Sequence, residues 1–513
     1  LNSPQYTERA SLRTKLFFGL GASGDSAIGW VFGVLVFFYY QQILGLSGAL
    51  AGTAVALSIV SDAVTDPLIG SFSDRYKSKY GRRHPFMFMA PIPLALSLFL
   101  IFSPPESIVG SQAYLFAWFV TFTILLRTFQ TFFTIPYLAL GAELSTDYIE
   151  RSKIMSFNLL FGMFGYVFTH LVAMVVIFGM LFEGEGGRLY QPAYTPVVLI
   201  SCVFIVITMF FSAYGTRDQI EKLKQRETEM GPSNLSSVFR DIASVLKNRN
   251  YRALLLGMFF MALTAGTHDT LGMYMATFFW ELDSYQYGLL IFGNIIGTYL
   301  AFYAGSKLHE KFDKRMTIFW SCLVFAVFWS LTSILALLGL APAVASWAAV
   351  LFISVIALVT VFAGVVLSIS VMSSLADIAD EHELQTGRRQ EGIFYSARSF
   401  FAKAMGALGA FVAGFAVDLY IKIPPNSVPG EVAEDVIFRL GIVDGPFAMI
   451  WGIVAAFLYL RYRIDKKQHQ EIRSQLDQRA SSVNQETSVA EPSSAPAASQ
   501  DSPLMMATTT HPT

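Results

Sequence analysis

Long apolar runs, each closed off by a short polar turn, dominate the chain from beginning to end. A helix crossing a bilayer needs about 20 mostly apolar residues. Twelve segments meet that length, at roughly 17–43, 48–72, 84–103, 113–141, 154–181, 194–214, 251–279, 285–306, 315–339, 344–375, 392–419 and 437–461. A helix on the surface of a soluble protein keeps a charged face opposite its apolar stripe. These segments are apolar nearly all round, so the pattern predicts an all-α membrane protein with twelve transmembrane helices.

The polar turns alternate in charge. The second gap carries Arg75, Lys77, Lys79, Arg82 and Arg83, and the fourth Arg151 and Lys153. The sixth carries Arg217, Lys222, Lys224, Arg226, Lys247 and Arg249, and the eighth Lys307, Lys311, Lys314 and Arg315. The tenth has Arg388 and Arg389, and the chain after the last span has Arg461, Arg463, Lys466 and Lys467. The stretches Gln41–Ser47, Ser103–Gln112 and Gly339–Trp347 contain no Lys or Arg. Basic residues stay on the cytoplasmic side, so both termini and all even-numbered loops are expected there. The longest cytoplasmic connection splits the chain into six spans and six, a plan used by secondary transporters. The expected units are a first half over 1–215, a linker over 216–250, a second half over 251–467 and a tail over 468–513. A weak repeat agrees, since Gly70–Arg83 follows span two as Gly305–Arg315 follows span eight. The Ser-, Ala-, Gln-, Thr- and Pro-rich tail is expected to be helical at first and disordered beyond.

Composition narrows the function classes. Hydrophobic residues make up 54% of the 513 and charged ones only 14%, against about 25% charged in a soluble domain. The formal net charge of −1 gives no basic field for nucleic acid. The two cysteines, Cys202 and Cys322, lie in apolar runs and read as small buried residues. The polar start Leu1–Thr14 runs into a full-length span, which is not the pattern of a cleaved signal peptide. No HExxH, GxSxG or Cys/His constellation lies at membrane depth, so an intramembrane enzyme is not expected.

Ionisable side chains at membrane depth cost at least about 2.5–3.5 kcal/mol each, so each needs a reason. Asp62 and Asp66 are four apart and share one face of span two, with Thr65 beside them. Two carboxylates and a hydroxyl offer hard oxygen ligands for a small cation. Alternatively, two close carboxylates can carry a proton, or a basic residue from another helix can neutralise them. Lys403 in span eleven and Arg127 in span four are candidate partners. Lys403 can compete with the cation as a coupling residue. Arg127 can hold an anionic group of a substrate or lock helices together. Asp25 in span one, His170 in span five, and the pair His268–Asp269 in span seven are further candidates. Trp30, Tyr39, Tyr40, Tyr274 and Trp280 can stack on a sugar ring or belong to the interfacial belt. Asp74, Arg75, Arg82 and Arg83 lie where helix ends meet the cytoplasm, with Glu143 at the inner end of span four as a possible partner. Their expected role is to hold the inner gate shut in an outward-open state; plain topology signalling is the alternative.

The turn Gly70-Ser-Phe-Ser-Asp74-Arg75 followed by Gly81-Arg82-Arg83 resembles the signature after helix two of the major facilitator superfamily. The stretch Ser61-Asp62-Ala63-Val64-Thr65-Asp66-Pro67-Leu68-Ile69-Gly70 resembles more narrowly the glycoside–pentoside–hexuronide:cation symporters, the melibiose-carrier family. Ile135-Pro136-Tyr137 and Gly387-Arg388-Arg389-Gln390-Glu391-Gly392 with Lys403 extend the likeness, which runs from about Lys15 to Arg463. It implies a major-facilitator fold of two six-helix halves. It also implies a cation site at Asp62, Asp66, Thr65 (an asparagine ligand in the melibiose carrier) and Thr131, with Lys403 tied to coupling. The galactoside set is mostly absent: Thr134 stands where the family has an aspartate, Leu138 at its tryptophan and Leu159 at its arginine, while the span-one acidic position falls near Asp25 or Ser26.

The expectation is therefore a symporter, driven by Na⁺ or H⁺ and needing no cofactor, that moves a sugar or glycoside by alternating access. Asp25, Trp30, Arg127, Thr134, His268 and Asp269 are its candidate substrate residues, and Asp62 and Asp66 are metal ligands if the coupling ion is Na⁺. It is expected as a monomer in a plasma membrane, a bacterial inner membrane, with no nucleic-acid partner. A carrier of a non-sugar amphiphile such as a lysolipid is the principal rival, and a sensor that has lost transport is another.

Overall fold

The computed structural model describes residues 10–76, 78–145, 147–220, 246–387 and 391–489. The side chains of Asp74, Arg75 and Lys403, the pair Arg388–Arg389, most of the expected linker and the end of the tail lie outside the described residues.

Eleven described helices are long and apolar enough to cross a membrane. They are α1 (Leu12–Ile43), α2 (Gly48–Arg75), α3 (His84–Ile101), α4 (Gln112–Glu143), α5 (Ile149–Leu181), α6 (Tyr194–Gly215), α7 (Arg249–Phe279), α8 (Ser284–Gly305), α9 (Lys314–Leu337), α10 (Trp347–Thr386) and, after α11, α12 (Glu434–Tyr459). The remaining one, α11 (Glu391–Ala416), runs on through a wide π turn over Val417–Ile421. Its stretch Leu408–Ile421 is a shorter apolar helix, and Arg398 and Lys403 lie in the half that precedes it. A further helix, α13 (Lys466–Val489), follows. All twelve expected spans are thus present.

Boundaries move where polar residues cap or extend a helix. Asp147 accepts the backbone N–H of Glu150 and starts α5 earlier than its apolar run does. Ser346 likewise caps α10. At its other end α10 continues to Thr386, roughly three turns past the apolar limit at 375. That extension is acidic, and its carboxylates are matched by neighbours. Lys314 holds Asp377 at 2.8 Å, Arg473 of α13 holds Asp380 at 3.0 Å, and Asn248 and Asn250 donate to Glu381.

The packing repeats with a shift of six helices. In the first half α1 lies on α5 and α6, α2 on α4, and α3 on α4 and α6. In the second half α7 lies on α11 and α12, α8 on α10, and α9 on α10 and α12. The halves meet through α2 against α11 and α5 against α8, two contacts that the same shift exchanges. Small residues allow the approach: a Cβ added to Gly48 would sit 2.8 Å from the carbonyl oxygen of Gly414.

Hydrogen bonds between the halves, where both partners are described, gather towards the end that carries the odd-numbered loops. There Gln41 and Gln42 donate to the carbonyls of Ile423 and Pro424, and the Tyr274 hydroxyl donates to Gln41 Oε1 at 2.6 Å. Asp418, after α11, accepts from the backbone N–H groups of Gly48 and Ala49 and from the Ser47 hydroxyl, each at 2.8 Å. Arg188, between α5 and α6, reaches the Thr277 hydroxyl and the carbonyls of Leu282 and Asp283. The molecule is closed at that end.

Candidate functional site

Span two turns its acidic face towards α4. Asp62 is buried, and Thr131 Oγ1 of α4 donates to Asp66 Oδ1 at 2.8 Å. The Thr65 hydroxyl oxygen is buried, with no hydrogen-bond partner among the described residues. Pro67 lies inside α2 and has no N–H to offer the carbonyl of Ala63, one turn earlier. Two carboxylates, a hydroxyl and a released carbonyl thus share one short stretch of helix. Oxygen donors of this kind suit a hard cation. Among the described residues no three His, Cys, Asp or Glu side chains converge as a metal cluster.

Arg127 sits behind this face. Its electrostatic neighbours are Asp62, Asp25 and Asp66, in that order of strength. Its guanidinium lies 4.5 Å from the Phe32 ring centroid and donates to Gln130 Oε1 at 3.2 Å. Gln130 in turn donates to Asp25 Oδ1 at 2.7 Å, and the Thr134 hydroxyl donates to the same oxygen at 3.3 Å. Asp62, Asp25 and Asp66 thus all act on the Arg127 charge, and Gln130 bridges Arg127 to Asp25. Arg127 is engaged with the protein's own groups.

Two cavities lie beside these residues, the first within the first half and the second between the halves. One, of about 340 Å³, is bordered by Asp25, Ser26, Thr134, Asn158 and Tyr166. The other, of about 360 Å³, is bordered by Asp269, Asn294, Tyr287, Trp329 and the same Tyr166. Tyr166 thus belongs to both.

The expected pair His268–Asp269 borders one cavity, but the two side chains have different partners. Neighbours on a helix point about 100° apart, and here they separate. His268 Nδ1 meets Asp444 Oδ1 of α12 at 2.8 Å, its Nε2 meets the Ser330 hydroxyl at 3.2 Å, and its ring stacks on Trp329. The Ser333 hydroxyl donates to the other Asp444 oxygen at 2.6 Å. His268 is thereby tied into the α7–α9–α12 contact, and it borders the larger cavity together with Asp444 and Asp269. His170 is similarly committed: its Nδ1 accepts the Trp30 indole N–H at 3.1 Å, so its Nε2 carries the proton and donates to the Gly288 carbonyl across the halves. Trp30 is buried in the wall behind that bond. Tyr39 and Tyr40 donate to the carbonyls of Phe102 and Ile101 at the closed end, so their role is packing. Tyr166 and Asn294 are not evident from spacing, since each is a single polar residue in an apolar run, and Gln130 and Tyr287 are each one of several polar residues in their stretch.

At the opposite end, Arg82 and Arg83 both hold Glu143 Oε1 at 2.9 Å, and Arg83 also donates to the Ser73 hydroxyl. Gly81, at φ +74°, takes the left-handed turn that brings both arginines round. All of these residues belong to one half. Among the described residues the cluster joins α2, α3 and α4 to each other. Glu143→Gln is expected to lower stability by about 1 kcal/mol, since the cluster is partly exposed and screened. Thermal unfolding of the purified protein checks this, and an unchanged midpoint would leave the cluster without a structural role.

Comparison with known proteins agrees with this architecture. The family described as MFS/sugar transport protein matches residues 17–466. The putative glycoside/cation symporter YagG of Escherichia coli (strain K12) is 26% identical over 79% of this chain and 82% of its own length. The sodium-dependent lysophosphatidylcholine symporter 1-B of Danio rerio is 24% identical over 93% of this chain and 92% of its own. The crystal structure of the nucleoside transporter NupG superposes with a TM-score of 0.61 at 12% identity, covering 88% of this chain and all of that one, and so shares the fold. Twelve spans in two interlocking halves, with carboxylates held at membrane depth between them, and a family match over nearly the whole helical region make this chain an integral membrane symporter of the MFS/sugar transport protein family.

Proposed function

We propose that the protein carries a sugar or glycoside into the cell together with Na⁺ or H⁺, by alternating access across a bacterial inner membrane, with both termini in the cytoplasm. The observation that carries this reading is the oxygen-rich face of α2, where Asp62, Thr65 and Asp66 lie within about one helix turn and Thr131 donates to Asp66. Buried carboxylates are less costly to enclose with a cation bound than without one. A ligand drives a conformational change only by binding one state better than the other, and charge supplies that difference here.

Cation and solute sites are linked through side chains. Asp25 borders the smaller cavity and is tied by Gln130 to Arg127, which faces Asp62. With the odd-numbered loops outside, closure at their end makes this the inward-facing state. A lysolipid cargo is the second reading, favoured by the likeness to the Danio rerio protein.

Proteoliposomes loaded against a panel of glycosides, pentosides, uronates and lysolipids, each with an inward Na⁺ gradient, an H⁺ gradient or neither, test the proposal. Gradient-stimulated uptake of one sugar is the expected result. Uptake of a lysolipid alone, by folded protein, would replace the sugar reading with the second one.

A further inference from the structure

The larger cavity brings together polar groups that the protein itself leaves unengaged. Asp269 of α7 is exposed into it from the middle of an apolar helix, and Asn294 of α8 lines it. Tyr166 of α5 and Tyr287 of α8 complete the set; both are electrostatic neighbours of Asp269. Among the described residues none of these four side chains has a hydrogen-bonded partner, although each stands at membrane depth, where an unmatched polar group is costly. They come from both halves, since Tyr166 belongs to the first and the other three to the second. Tyr166 is 42% exposed, so its ring presents a free face as well as a hydroxyl.

Charge decides what these groups can receive. Among the described lining residues of the two cavities there is no Lys or Arg. The nearest guanidinium on this side, Arg188, lies behind the Tyr287 ring, 5.5 Å from its centroid, and is spent on Thr277, Leu282 and Asp283. A solute carboxylate or phosphate would therefore meet Asp269 with no described counter-charge. A quaternary ammonium would suit the carboxylate and the rings but would leave the Asn294 amide and the tyrosine hydroxyls unmatched. A ring bearing several hydroxyls satisfies all of them, giving donors to Asp269 and apolar C–H faces to the tyrosines.

We infer that Asp269, with Asn294, Tyr166 and Tyr287, is the recognition site for a neutral ring polyol, and that it discriminates against the corresponding uronate. This rests on the sugar reading above and moves the principal substrate carboxylate into the second half of the molecule. The site is emptied of its carboxylate by Asp269→Asn, a change distant from the cation ligands.

The test uses matched pairs as probes: methyl glucoside with methyl glucuronide, methyl galactoside with methyl galacturonide, and glycerophosphocholine as the quaternary-ammonium control. Each is titrated onto the full-length protein with tryptophan fluorescence as the readout. A neutral member is expected to bind roughly tenfold or more tightly than its uronide, and Asp269→Asn to weaken that binding by roughly tenfold or more. Cation binding, followed by calorimetry, is expected to stay within about twofold in this variant. Should Asp269→Asn fail to fold, Asn294→Ala and Tyr166→Phe carry the same test with weakening of about fivefold. A uronide bound as well as its neutral partner, or neutral binding unaltered in folded Asp269→Asn, overturns the inference while leaving sugar symport intact. Binding of glycerophosphocholine with no sugar bound, or cation binding with none of the probes bound, removes the sugar reading and this inference with it.

Discussion

Asp62→Asn is expected to abolish gradient-driven uptake, lowering its initial rate by roughly a hundredfold or more, while the protein still purifies as a folded monodisperse species. The substitution keeps the volume of the side chain and removes its charge, so it permanently imitates the neutralised site. A carrier in that condition loses the difference between empty and loaded states from which coupling arises. The same argument fixes the sign of a second readout. Wild type bound to its cation is stabilised by RT ln(1 + [L]/Kd), about 2.7 kcal/mol at a hundred times Kd, so its melting temperature rises with the coupling cation. In Asp62→Asn this rise disappears. Thr131→Val removes only the donor to Asp66 and is expected to weaken the cation by about fivefold, the worth of one hydrogen bond near 1 kcal/mol. Cation-stimulated uptake within threefold or so of wild type in folded Asp62→Asn would place the coupling site elsewhere.

That pair was legible because its signal is local: two acidic residues one turn apart in an otherwise apolar run have few structural excuses. Glu143 was legible for a related reason, as an acid at the end of a span facing a basic turn, and it does receive Arg82 and Arg83. Other features were not. Hydropathy stops α10 near 375, whereas the helix continues because Lys314, Arg473 and two asparagines match its acidic extension. Adjacency suggested His268 with Asp269, but the partner of His268 is Asp444, 176 positions away. The contacts that close one end of the molecule are longer-range still. Asp418 meets Gly48 across 370 positions, and nothing in either segment names the other as its partner. For Arg188 there was a trace, an arginine in an odd-numbered loop where basic residues are scarce. Its meaning depends on which carbonyls the fold brings to it.

Arg188→Ala is expected to release that closed end. Arg188 is 3% exposed. Its Nε donates to Thr277 Oγ1 at 2.7 Å, and its two terminal nitrogens donate to the carbonyls of Leu282 and Asp283. Burial pulls its pKa down to about 10, which leaves it charged at neutral pH. Asp418 performs the complementary task at the symmetry-related contact, accepting the N–H groups that α2 leaves unpaired at its start. One half thus grips the other's carbonyls with a cation, and the second grips the first's amides with an anion. Both grips break when the molecule opens at this end, so their loss destabilises the closed state selectively. Removing the guanidinium forfeits about 3 kcal/mol of charge-assisted hydrogen bonding, a population shift of roughly a hundredfold towards the open state. Asp418→Asn retains one acceptor and is expected to shift it less, by about tenfold. Spin labels at Glu106→Cys and Val344→Cys, in odd-numbered loops of opposite halves, read the outcome by double electron–electron resonance. The native Cys202 and Cys322 are both buried and do not compete for label. The inter-label distance is expected to lengthen in Arg188→Ala, to lengthen partly in Asp418→Asn and to return towards the wild-type value in Arg188→Lys, which restores the charge but not the fork. A distance distribution in folded Arg188→Ala indistinguishable from wild type would mean that apolar packing alone closes this end, and that Arg188 serves only to order its own loop.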